Sequence, residues 1–130
     1  MSEQPNILFI LTDQQRWDYV GYAGGPPRTP NIDRIAERGV AFNHCYTSCP
    51  ICAPARIALA AGMQAGRIAP NSNDSFLHRS TPTYYQRLRD YGYRVGAVGK
   101  LDLAKSGGPP GLTGDRSEEH TSELQSLLII

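Results

Sequence analysis

Residues 5–13 place five consecutive apolar side chains, Ile7 to Leu11, between a proline and a polar Thr-Asp pair. A run this short, rich in strand formers and closed by polar residues, predicts a buried strand from the middle of a parallel α/β sheet. Asp13 then stands at the strand's C-terminal end, where open α/β sheets gather their ligands. Residues 29–39 change period. Ile32, Ile35 and Ala36 share one helical face, Asn31 is placed to cap the first turn, and Gly39 is placed to end the helix. Val40, Ala41 and Phe42 form a candidate strand directly after it.

The pattern repeats twice more. Ala53, Ala55, Ala58, Leu59, Ala60 and Ala61 are strong helix formers ending at Gly62, and Pro54 falls in the first turn, where a missing N–H leaves no bond unmade. Thr81-Pro82 opens a third helix carrying Tyr84, Tyr85, Leu88 and Tyr91, which Gly92 stops. Residues 93–98 read as the next strand, delivering Gly99-Lys100-Leu101-Asp102-Leu103. The segments 21–30, 68–80 and 106–115 are loop-rich, as expected of loops lying over the edge of a sheet.

Composition narrows the class without choosing a function. The 130 residues are 40% hydrophobic and 19% charged, with a net charge of +1. That fits a globular domain; no basic stripe suggests nucleic acid and no apolar stretch is long enough for a membrane. The first four residues have no basic leader character, so a cytoplasmic location is expected.

Candidate chemistry concentrates at Cys45, Cys49 and Cys52, spaced C-x3-C-x2-C. Three thiolates at this spacing suit a [4Fe-4S] cluster of the radical-enzyme type. A zinc site would need a fourth ligand at a usual spacing, and His44 directly abuts Cys45. Buried, unreactive cysteines are a third reading. Cluster binding gives no reason for Pro54 and Arg56 to follow the last cysteine. A helix start accommodates Pro54, its N-terminal N–H groups and dipole favour anions beside residue 52, and Arg56 lies one turn into the same helix.

Cys52-Ala53-Pro54-Ala55-Arg56, 39 positions after Asp13, resembles the nucleophile site of the formylglycine-dependent sulfatases. Residues 5–14 resemble that group's opening strand, and Thr29 to Ala36 resembles its T-P-N-I-D-R-I-A run, which is scaffold. The resemblance covers about residues 4–105 and is strongest over 5–66. It implies an α/β fold of the alkaline phosphatase-like type, a sandwich around a largely parallel β-sheet. It further implies that a maturation enzyme oxidises Cys52 to formylglycine, whose hydrate attacks a small-molecule or carbohydrate sulfate ester. Asp13 and Gln14, with residue 52, would hold a divalent cation, with Ca2+ first and Mg2+ or Mn2+ as alternatives. Many members have a second Asp where this chain has Gln14, which lowers the charge of the site. Lys100 matches the lysine of a G-K-W-H run and would neutralise a sulfate oxygen together with Arg56; Leu101 and Asp102 depart from its Trp and His. A phosphonate or phosphate monoester hydrolase of the same superfamily, and the radical enzyme above, are the alternative functions.

The end of the chain has another character. Arg116 to Ser126 reads, residue for residue, as the translation of a common sequencing adapter. Residues 1–115 are therefore expected to be the N-terminal part of a catalytic domain, and residues 116–130 to be non-native. The resemblance places a second metal-binding pair much later in the chain than residue 115. The 130 residues alone are accordingly expected to be inactive.

Overall fold

A computed structural model describes residues 4–68 and 72–103, and the backbone of residues 126–129. It divides into two compact units, one of Met1–Leu11 with Thr47–Ile130 and one of Thr12–Tyr46.

In the first unit the opening strand β1 spans Leu8–Leu11. It is shorter than the expected nine residues, and it is not buried on both faces: Leu8 and Ile10 are exposed while Phe9 and Leu11 are half-buried. The helix α2, Cys52–Ala61, forms where the alanine-rich run predicts. Gly62 ends it at φ 64°, a left-handed backbone that lets its N–H turn back to the carbonyls of Ala58 and Leu59. The face carrying Ala53, Pro54, Arg56, Ile57, Ala58 and Ala60 is buried. A short helix α3, Ala65–Ile68, packs alongside, and Ala58, Ala65 and Cys49 share a small core with Ile51.

Helix α4 spans Tyr84–Asp90, and its start corrects the expected one. Thr83, rather than the Thr81-Pro82 pair, is the N-cap. Its hydroxyl accepts from the Gln86 N–H while the Gln86 side chain accepts from the Thr83 N–H, and this reciprocal pair satisfies two donors that a start at Pro82 would leave open. Gly92 follows the helix at φ 87°, as its stop signal predicts. Tyr84 stacks on Tyr85 at 4.2 Å and its ring meets that of Phe9 in β1 edge-on at 6.4 Å, while α4 packs against α2.

Strand β2 is Gly96–Val98, the end of the predicted 93–98 run, and β3 is Ser126–Ile129. Their order is β1-β3-β2, and β3 is antiparallel to both neighbours. β1 and β2 thus run parallel to each other but are separated by one strand, so the described sheet is an antiparallel three-stranded one rather than the parallel sandwich expected. Four residues, Ser126 to Ile129, suffice to take that place because strand pairing is a backbone interaction. It follows that β3 carries no information about whether residues 116–130 are native, and the rest of that segment lies outside the described residues.

The second unit is built around α1, Pro30–Arg38. Thr29 is its N-cap residue and Pro30 occupies the first turn, which displaces Asn31 from the expected cap role. The Thr29 hydroxyl accepts from the Gly21 N–H at 2.7 Å and donates to Asp33 at 2.8 Å, and the same Asp33 oxygen accepts from the Tyr22 N–H at 2.9 Å. Thr29 and Asp33 therefore clamp the short 3-10 turn at Gly21–Ala23 onto the start of α1. A Cβ on residue 21 would collide with the Asp33 carboxylate, which explains the glycine. Val40, Ala41 and Phe42 form no strand. Val40 and Phe42 are exposed, and no described strand lies beside them to supply hydrogen bonds.

Candidate active site

Cys52 is the first residue of α2, as its sequence context predicts, and it is half-buried. The donors around it are fewer than a bare helix start would give. Pro54 has no N–H, the Ala55 N–H returns to the Ile51 carbonyl, and the Ala53 N–H donates to the Asn73 side-chain oxygen at 3.3 Å. Asn73 was not legible as a site residue. Its only signal is an amide in a loop, twenty residues away in sequence.

Arg56 stands one turn further along α2 and is 8% exposed. Its Nη1 donates to the Lys100 carbonyl at 2.6 Å, a charge-assisted bond that ties α2 to the loop after β2. That loop is tightly wound: Gly99 has φ 95° and Asp102 has φ 49°. Among the described residues Asp102 is the one non-glycine in this left-handed region, a conformation that costs most L-residues about 1 kcal/mol and that Asp and Asn tolerate best. The turn brings Lys100 Nζ to 3.5 Å from Asp102 Oδ2. The Asp102 side chain is nearly sealed from solvent, whereas that of Lys100 remains about one-third exposed. Arg56, Lys100 and Asp102 thus form a connected charged group beside the start of α2.

Asp13 and Gln14 belong to the other unit. Both are exposed, two and three residues past the end of β1, and the Gln14 N–H donates to Asp13 Oδ1 at 3.0 Å. Nearby, Arg16 clasps Asp18 through two nitrogens at 2.7 and 3.0 Å, which holds the Asp18 carboxyl below its usual range. Of the three cysteines, Cys45 is exposed and lies in the second unit, while Cys49 is buried in the core of the first. Among the described residues no three His, Cys, Asp or Glu side chains gather as a metal site. The match of residues 5–108 to the sulfatase family does not favour the cluster reading of the C-x3-C-x2-C run.

The sulfatase family profile matches residues 5–108. This chain belongs to the sulfatase family. It is 38% identical over 102 residues to an uncharacterized sulfatase, YidJ, of Escherichia coli (strain K12), covering 78% of this chain and 20% of that protein. It is 36% identical over 114 residues to a choline-sulfatase of Rhizobium meliloti, covering 85% of this chain and 21% of that one. An N-acetylgalactosamine-6-O-sulfatase of Bacteroides thetaiotaomicron is 33% identical over 132 residues, 97% of this chain and 25% of its own length. No solved structure gives a significant match. The chain thus spans about a fifth to a quarter of the length of these sulfatases. Family membership implies the alkaline phosphatase-like fold; the described residues are a small fragment whose helices and few strands do not show its sandwich. No described helix is long and apolar enough to cross a membrane.

Proposed function

We propose that the full-length protein is a sulfuric ester hydrolase whose nucleophile is formed from Cys52. The net reaction consumes one water and releases an alcohol and sulfate. The observation that carries this reading is the 2.6 Å bond from Arg56 to the Lys100 carbonyl, which joins the helix that begins at Cys52 to the loop that bears Lys100. Formylglycine at residue 52, made by a maturation enzyme, supplies the attacking oxygen. Lys100, with its ammonium partly open to solvent, receives an anionic ester oxygen, and Arg56 keeps the Lys100 loop in place while adding positive charge. The dipole of α2 favours the same anion at residue 52.

The donor set at Asp13 and Gln14 fits a hard divalent cation, since a carboxylate and an amide oxygen are what Ca2+ or Mg2+ prefers. A cation held by these two residues would supply Lewis-acid chemistry, with its further oxygen ligands coming from elsewhere in the full-length protein. The alcohol portion is a small molecule or a carbohydrate. The relatives named for choline sulfate and for N-acetylgalactosamine 6-O-sulfate span that range.

Mass spectrometry of the full-length protein, coexpressed with a formylglycine-generating enzyme, tests the reading. The tryptic peptide ending at Arg56 is expected to carry an aldehyde at residue 52, with Cys45 and Cys49 left as thiols. An intact Cys52 thiol in an active preparation would refute it.

A further inference from the structure

The start of α2 withholds most of the donors that an anion at residue 52 would use. The N–H of the peptide joining Cys52 to Ala53 is given to Asn73 Oδ1 at 3.3 Å, Pro54 has no N–H, and the Ala55 N–H returns to the Ile51 carbonyl. What this leaves beside residue 52 is the other end of the Asn73 amide. A backbone N–H can bond only to the amide oxygen, so the NH2 group is the end left over, and among the described residues it has no partner. Asn73 is exposed, but its backbone is braced. It is the second residue of a turn in which the Ser75 N–H returns to the Ser72 carbonyl at 3.2 Å, and the Ser75 hydroxyl, on a residue 1% exposed, donates to the same carbonyl at 2.6 Å. A second tie, from the Leu77 N–H to the Leu103 carbonyl at 2.7 Å, holds the far end of this segment.

We propose that Asn73 is a further substrate-binding residue of the site at residue 52, its NH2 group donating a hydrogen bond to an anionic oxygen of the ester. An amide that accepts from the first turn of a helix adds one more aligned dipole at the positive end, so its own N–H bonds are polarised by the helix behind it. The donor that Ala53 gives up is thereby passed outward by one side chain. A donor fixed in this way holds the ester's oxygen without reorganising as the reaction proceeds. Asn73 takes no proton and forms no bond to sulfur. The inference rests on the reading of residue 52 as the nucleophile, and it adds a donor that no residue of the C-A-P-A-R run supplies.

The test uses the full-length, formylglycine-bearing protein with 4-nitrophenyl sulfate as substrate and inorganic sulfate as competing anion, rates being expressed per aldehyde counted by mass spectrometry. Asn73→Asp separates the two ends of the side chain. Its carboxylate still accepts from the Ala53 N–H and suits a helix start, so the melting temperature is expected to stay at or above that of the wild type. It also replaces the NH2 donor with an anionic oxygen, so kcat/KM is expected to fall about 100-fold or more and inhibition by inorganic sulfate to weaken in parallel. Asn73→Ala removes both ends. It is expected to lower the melting temperature and to cut kcat/KM and sulfate affinity about tenfold, the effect of one neutral hydrogen bond. A residue that only caps the helix gives the opposite order, with Asn73→Asp close to the wild type in kcat/KM and only Asn73→Ala impaired, and that result would overturn the inference. Were Asn73→Asp not to fold, wild-type inhibition of Asn73→Ala by inorganic sulfate would overturn it equally, and weakened inhibition would support it. A wild type that lacks the aldehyde or hydrolyses no sulfate ester would instead overturn the proposed function, and the inference with it.

Discussion

Replacing Arg56 with alanine separates a scaffold arginine from a solvated one. Arg56 is 8% exposed and its Nη1 lies 2.6 Å from the Lys100 carbonyl. A hydrogen bond from a charged donor contributes about 1.5–3 kcal/mol, and leaving the carbonyl without this donor costs about 1–3 kcal/mol more. These overlap, since part of the first is the avoidance of the second. Loss of the buried arginine stem adds packing energy. A total of about 3–4 kcal/mol is expected, a large share of the roughly 5–15 kcal/mol that holds an ordinary domain together. Urea denaturation of the full-length protein, followed by fluorescence, should show a lower midpoint at unchanged slope. Arg56→Lys should recover only part of the loss, because an ammonium lacks the planar fork that reaches a carbonyl from a buried stem. An alanine variant within about 0.5 kcal/mol of the wild type, the range of ordinary surface changes, would show that the bond to Lys100 contributes nothing.

Three further outcomes are expected. Thr83→Ala should destabilise by about 1 kcal/mol by breaking the reciprocal cap with Gln86, and Thr83→Ser should restore most of it; equal melting curves for all three would refute the cap. Burial, and then the hydrogen bond with Tyr85, push the Tyr84 hydroxyl well above its ordinary range, so its neutral form is favoured in the fold. The associated stability is complete below the unfolded value of about 10 and is lost as pH rises beyond it, so an absorbance titration should show one late tyrosine that Tyr84→Phe removes. Asp13→Ala should raise the Ca2+ or Mg2+ concentration needed for half-maximal activity about tenfold or more, since it removes the one carboxylate of the Asp13-Gln14 pair; an unchanged requirement would place the cation elsewhere.

The local elements were legible because their signals are local. Pro54 and Gly62 bracket α2, and Gly92 ends α4, because a missing N–H and a left-handed backbone act within a turn of the residue that supplies them. The cap at Thr83 was legible in principle too, through its spacing to Gln86; the neighbouring Thr81-Pro82 carried the competing signal. The sequence also determined the family, since Cys52, Pro54 and Arg56 are chemically meaningful only together. Partners distant in the chain were beyond its reach. Residues 40–42 have strand composition but pair with no strand among the described residues, and the β1-β3-β2 order depends on which backbone edges meet. Arg56 was legible as a cation near residue 52, but its acceptor is a main-chain carbonyl 44 residues away, and any residue type offers the same carbonyl. Asn73 reaches the first turn of α2 by the same kind of contact. For Asp102 the sequence showed an aspartate in an unexpected place. Only the tertiary structure sealed it from water at 3.5 Å from Lys100, because burial and pairing belong to the surroundings a side chain acquires on folding.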